Sequence, residues 1–184
     1  QRRGLTMYSP DRKVPLHPEV LSEGAASLLP DVTRPALVWT IDLDSEGSIE
    51  AANVRRALVR SRAKLSYETV QEQIDGEVAD ENLQLLAVIG VLLQAQERAR
   101  GGVSLPGAEQ EVRVEGDSYD LVLRTPLAVE GWNAQISLLT GRVAAQMMLD
   151  GGVGILRTMP DPTPADIGRV RAVARSLGID WPRE

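Results

Sequence analysis

The chain has no cysteine and no phenylalanine, a single histidine, and only three tryptophans and three tyrosines in 184 residues. Without cysteine there can be no disulfide and no thiolate-held metal. A reducing compartment is compatible with that composition, and the expected location is the cytoplasm. The lone His17 lies between Leu16 and Pro18 in a loop. It supports no Ser-His-Asp arrangement, and it is read as structural or solvated rather than as a base or ligand. Few aromatics leave little material for stacking on bases. No apolar run reaches the ~18 residues of a membrane span, and nothing at the start reads as a signal peptide. Positive charge is also short: 20 Lys and Arg against 26 Asp and Glu give a net charge of −6. Phosphate contacts need local cations, so the overall balance argues mildly against nucleic acid and leaves room only for a local basic groove. No two aspartates are adjacent.

What is present is an ordinary globular composition, 43% hydrophobic, long enough for one or two domains. Pro10, Pro15, Pro18, Pro30 and Pro35 make residues 1–35 loop-rich, since each fixes φ and removes a donor. One short helix fits Pro18–Gly24. Ala36–Leu43 alternates and reads as a strand. A turn follows at Asp44–Gly47, then a second long strand at Ser48–Arg62. Ser66 caps a helix over Tyr67–Asp75 that Gly76 ends. Asp80 caps another over Glu81–Arg100. Its Leu85–Leu93 run is apolar nearly all round, which predicts a buried helix. Glu109–Glu115 and Tyr119–Arg124 form a hairpin about Gly116 and Asp117. A third helix spans Gly131–Leu149, a short strand Gly154–Thr158, and Thr163 with Pro164 opens a last helix that Gly178 ends. The expected fold is α+β, with helices packed on antiparallel strands.

Several residues invite a chemical reading. Asp42 and Asp44 share one face of a strand, a spacing that imitates a metal site. The turn chemistry of Asp-Ser-Glu-Gly favours a strand end instead, so no metal ligand is assigned. Arg56, Arg60, Arg62 and Lys64 recur at even spacing, with Arg55 opposite. On a continuous strand they form one row of cations. Such a row can track a phosphate backbone, and it equally suits a solvated strand face. Gly151-Gly152-Val153-Gly154 imitates a phosphate loop but follows a helix and precedes a strand, the reverse of the required order. Trp39, Trp132 and Trp181 are read as core or edge residues.

Between Met7 and Pro30 the order Tyr8, Pro10, Asp11, Arg12, Pro15, Glu19, Leu21, Ser22, Ser27, Leu28 resembles a segment of the ribonuclease II family, the hydrolytic 3′→5′ exoribonucleases. The run Ser61 to Gln71, Ser-Arg-Ala-Lys-Leu-Ser-Tyr-Glu-Thr-Val-Gln, resembles a second and quite specific block of that family. Leu85 to Gly102, Trp132 to Ala145 and Gly154 to Arg157 extend the likeness, which spans residues 4–178. The resemblance implies that 1–184 is the middle and later part of a ribonuclease II-type (RNB) catalytic domain, with no complete second domain. It implies a parent enzyme that needs Mg²⁺ and releases nucleoside monophosphates from single-stranded RNA. Its metal-binding aspartates would precede Gln1, and a transition-state arginine would follow Glu184. This segment would then carry no catalytic residue or metal ligand and be inactive alone. It would wall the RNA channel and part of the nucleotide pocket, with the remaining segments of the domain as its partners and neither membrane nor DNA expected.

By the same resemblance, Tyr67 sits beside the scissile end and Tyr8 stacks on a base near the active site. From the cation row, Arg60, Arg62 and Lys64 are read as RNA contacts, and Arg157, near the end of the short strand, as a phosphate contact. Bland readings stand beside these: a packed residue for each tyrosine, a surface ion pair for Arg157. The family's paired glutamates fall on Ala134 and Gln135, and its stacking phenylalanine falls on Leu105. Those departures keep open a non-catalytic RNA- or protein-binding relative. A partial domain is also expected to leave sheet edges and apolar faces uncovered.

Overall fold

The structure is a computed structural model and describes residues 5–9, 12–104, 107–116, 118–156, 158 and 160–182. It begins with a two-residue ribbon, β1 (Met7–Tyr8) on β2 (Lys13–Val14), and a π-helical turn at Val20–Ala25. A long hairpin follows, β3 (Thr33–Leu43) and β4 (Ile49–Arg60). Helices α1 (Tyr67–Asp75) and α2 (Glu81–Ala99) come next. A second hairpin, β5 (Glu109–Glu115) and β6 (Ser118–Arg124), leads into α3 (Ala128–Asp150) and then α4 (Pro164–Ser176). All three ribbons are antiparallel and two-stranded. The fold is therefore α+β. The chain divides into two compact units, Gln1–Ala144 and Ala145–Glu184.

Local chemistry explains most boundaries. Ser66 accepts from Thr69 N–H at the start of α1, and Asp80 accepts from Leu83 N–H at the start of α2. Each satisfies a donor that the first helical turn leaves orphaned. Thr163 and Asp166 form a reciprocal capping box behind Pro164 at the start of α4, which also suits the fixed φ of proline at a first helical turn. At the β3–β4 turn, Asp44 Oδ1 accepts from Glu46 N–H at 2.9 Å and Ser48 N–H at 2.8 Å. Gly47 supplies the positive φ of +80° that this turn requires. The second carboxylate of the Asp-x-Asp pair is thus occupied by its own backbone.

The long hairpin is covered on opposite faces at its two ends. Register pairs Trp39 with Val54 and Ile41 with Ala52, and these four residues are half-buried on the face nearer the turn, which itself touches α2. Gln96 of α2 donates to the Glu46 carbonyl at 2.8 Å, and a Cβ on Gly47 would stand 3.2 Å from the Leu92 side chain. Nearer the open end the half-buried set is Arg34, Ala36, Val38, Ala57 and Val59, on the other face. There Arg34 reaches the Gly24 carbonyl at 3.2 Å. The swap leaves Leu37 and Leu58 exposed.

The core of the first unit sits among α1, α2 and α3, with Val70, Leu93, Val129, Leu139 and Val143 buried. Burying each such side chain is worth roughly 1.5–3 kcal/mol. Gly90 of α2 is buried where Trp132 of α3 packs closest; a Cβ there would come within 2.4 Å of the indole side chain.

Four sequence expectations are corrected. The first helix begins at Val20 and is a single π-type turn. Strand β3 starts at Thr33 and includes Pro35, which a two-stranded ribbon tolerates because every strand is an edge. Helix α2 is not buried all round, since Leu85, Val88 and Val91 are exposed. No strand forms over Val153–Leu156 or Thr158, because an isolated extended segment has no ladder to pair with.

Candidate nucleic-acid interface

The specific block Ser61–Gln71 forms the connection from β4 into α1. Strand β4 ends at Arg60; Ser61 makes a lone parallel bridge to Pro30, and residues 62–66 are irregular. The expected row of four cations on one strand face is therefore shorter. Arg56 and Arg60 share a face with Leu58, opposite Arg55, whereas Arg62 and Lys64 lie beyond the ladder. The strand stops because β3, its one strand partner among the described residues, reaches no further than Thr33, opposite Arg60. Arg60, Arg62 and Lys64 are all exposed. Arg60 pairs with Asp31 at 3.2 Å, a surface contact worth at most about 1 kcal/mol.

Tyr67 is the first residue of α1. Its hydroxyl accepts from Asn133 Nδ2 at 2.9 Å, which leaves its own proton free to donate. Tyr67 is 42% exposed and lines an open cavity of about 400 Å³ with Leu65, Val70, Leu83, Leu86 and Asn133. The wall is mostly apolar with a few polar groups, as small-ligand sites tend to be.

One turn along both helices, a second cross-helix bond fixes this arrangement. Gln71 Oε1 accepts from Val129 N–H at 3.0 Å. Val129 is second in α3, so Gln71 supplies from another helix the cap that Leu127 cannot. Glu130 accepts from Leu127 N–H at 2.8 Å. It also accepts from Arg124 Nη1 at 2.6 Å and Nη2 at 3.1 Å. Arg124, and next the Leu127 N–H, hold the Glu130 carboxyl below the usual range. Bonds from Glu130 and then Glu109 raise Arg124. Asn133, Gln71 and Glu130 are neighbours in this region that the sequence reading did not name as site residues. The available signal was spacing: Tyr67 and Gln71, like Val129 and Asn133, are i, i+4 pairs that share a helix face.

The departures at Ala134 and Gln135 have a clear local outcome. Ala134 is exposed, while Gln135 is buried and donates to Glu97 Oε2 at 2.6 Å. Ser104 Oγ donates to the other Glu97 oxygen at 3.2 Å. An amide donor here satisfies Glu97, where a carboxylate would oppose it. This pair lies along a cavity of about 700 Å³ with Gln94, Arg98 and Leu138.

The structure does not gather every predicted residue. Tyr8 stands on the separate β1–β2 ribbon opposite Lys13 and is 78% exposed. Arg157 and Leu105 lie outside the described residues. Among the described residues, no three His, Asp or Glu side chains stand together as metal ligands. No helix among the described residues is long and apolar enough to cross a membrane.

Comparison with known proteins gives these features a family. The RNB domain model matches residues 1–180. Exoribonuclease 2 of Haemophilus ducreyi is 39% identical over 77 residues, covering 41% of this chain and 12% of that protein. Inactive exonuclease DIS3L2 of Arabidopsis thaliana is 24% identical over 200 residues, covering 97% of this chain and 19% of that protein. The chain thus spans less than a fifth of the length of these curated relatives. In fold it is similar to Mycoplasma genitalium RNase R in complex with ribose methylated single-stranded RNA. The TM-score is 0.85 at 21% identity, over 98% of this chain and 30% of that one. With a match that runs through nearly all of its residues, the chain belongs to the RNB domain family.

Proposed function

We propose that this chain is part of a hydrolytic 3′→5′ exoribonuclease that acts on single-stranded RNA and releases nucleoside monophosphates. The observation that carries the reading is the RNB domain match over residues 1–180. In this reading the segment forms part of the RNA channel and nucleotide pocket. Tyr67 hydrogen-bonds near the scissile end, its hydroxyl oriented by Asn133. Exposed Tyr8 stacks on a base, a contact worth roughly 1–3 kcal/mol. Arg60, Arg62, Lys64 and Arg157 neutralise phosphates. Mg²⁺ would be held by carboxylates outside these 184 residues, and the remaining segments of the same catalytic domain would complete the site. The 184 residues alone are inactive on this view, and the protein works in the cytoplasm.

A non-catalytic RNA- or protein-binding relative is the second reading. It is favoured by Ala134 and Gln135, which stand where the family's paired glutamates are expected, with Gln135 buried and donating to Glu97.

The test is degradation of a 5′-labelled single-stranded oligoribonucleotide, with Mg²⁺ and with EDTA, by this chain and by the full-length natural protein. A Mg²⁺-dependent ladder shortening from the 3′ end, from the full-length protein alone, supports the enzyme. RNA binding without cleavage by either sinks the enzyme and leaves the binding relative.

A further inference from the structure

Helix α4 ends in a hydrogen-bonded reversal that builds a feature the Tyr67 site does not use. Gly178, at φ +72°, turns the chain. Its N–H donates to the Arg175 carbonyl at 3.1 Å, and Ile179 N–H donates to the Ala174 carbonyl at 2.9 Å. This pair of bonds is a Schellman motif. It sends residues 179–182 back along the helix.

The returning segment brings Trp181 under Arg171, with the guanidinium carbon 5.7 Å from the ring centroid. Arg171 Nη2 also donates to the Pro182 carbonyl at 3.3 Å. Both contacts fix the indole in place. Arg175, one turn further along α4, lies on the same helix face. It is exposed, and its side chain has no ion pair or hydrogen-bond partner among the described residues. Arg171, Arg175, Ile179, Asp180, Trp181 and Pro182 line a groove of about 300 Å³. Arg175 thus brings a guanidinium without an ion-pair partner among the described residues to a groove that also holds the Trp181 ring, on a chain whose net charge is −6. Trp181 remains 45% exposed.

We propose that this groove is a second contact for single-stranded RNA, with a base on the Trp181 indole and its phosphate on Arg175. The assignment rests on the RNA reading above. An anchored, exposed indole offers a surface for a base, and a free guanidinium beside it offers a partner for a phosphate. An acidic peptide would use the arginines and leave the indole uncovered. RNA supplies a π-face and an anion at one nucleotide's spacing. The site lies in the second unit and shares no residue with the Tyr67 cavity.

The experiment is photo-crosslinking of a 4-thiouridine-substituted oligouridylate to the 184-residue chain, with peptide mapping and an affinity measurement in parallel. Crosslinks are expected on the peptide that contains residues 179–182. Trp181→Ala should remove them and weaken binding by about fivefold or more. Arg175→Gln alters an exposed side chain that has no partner among the described residues and so serves as a variant that keeps the fold. It should weaken binding and lower the salt slope by about one. Crosslinks confined to other peptides, with both variants binding like wild type, would overturn the groove and leave the RNA reading intact. No crosslink or binding anywhere would overturn both. Equal protection of this peptide by polyglutamate would reveal a general anion site and overturn the RNA assignment.

Discussion

The β5–β6 ribbon and the start of α3 are consecutive in the chain, yet they treat their apolar residues in opposite ways. Register puts Val112, Val114, Tyr119, Leu121 and Leu123 on one face of the ribbon, and Glu109, Glu111, Arg113, Glu115 and Asp120 on the other. The apolar face is open, with those five residues between 40% and 69% exposed. At the start of α3, by contrast, Val129 is 1% exposed, and its N–H is satisfied by Gln71 from another helix. An alternating pattern specifies an amphipathic ribbon without specifying what covers it. Helices that share capping bonds and buried faces fix one another. The Tyr67 site stands on elements of the second kind, which is why its geometry is well determined by neighbours distant in sequence.

The sharpest way to break the contrast is at the α2–α3 contact. Gly90→Ala places a methyl against Trp132, at a separation no real Cβ adopts. Overpacking of this type costs about 1–3 kcal/mol or more. Urea unfolding should show it, and an unchanged midpoint would mean that α2 and α3 are not packed as described. Next comes Gln71→Ala, which strands the buried Val129 N–H. The expected loss is about 1–2 kcal/mol, again read from urea unfolding, with Gln71→Glu recovering part of it because an acceptor is restored.

Acid provides a smaller effect with a definite sign. Arg124 and the Leu127 N–H lower the Glu130 pKa in the folded chain. Its stabilisation is therefore fully present above the unfolded carboxylate value of about 4.3. It is lost as pH falls below that value and through the folded one. Thermal midpoints between pH 7 and pH 3 should fall less steeply for Glu130→Gln than for wild type. Parallel curves would remove Glu130 from the account. The smallest stability effect belongs to the ribbon. Leu121→Lys, on an exposed face, should shift stability by no more than about 0.5 kcal/mol while reducing binding of a hydrophobic dye. A large loss would show that the face is covered after all.

Much of the architecture was legible in local signals. Ser66, Asp80 and Thr163 each stand where a helix begins, Gly76 and Gly178 where one ends, and Asp44 with Gly47 where the long hairpin turns. These are short-range effects of side-chain oxygens on nearby N–H groups and of glycine at positive φ, so a reader needs only a few residues to see them. The block Ser61–Gln71 pointed to the Tyr67 region for a different reason, its likeness to a known family. The length of the cation row was not legible, because strand β4 lasts only as long as β3 pairs with it. Nor was the openness of α2, since an apolar helix records a tendency to be covered and not the presence of a cover.

The sequence by itself determined the order and type of the principal elements, the absence of thiol chemistry and the family to which the chain belongs. Only the tertiary structure decided that Asn133 meets Tyr67, that Gln71 caps α3, that Gln135 satisfies Glu97 and that Trp181 folds under Arg171. The physical reason is range. Capping, turn geometry and periodicity act over three or four residues. Each of these partnerships spans 10 to 66 positions and exists only once helices pack or a chain reverses.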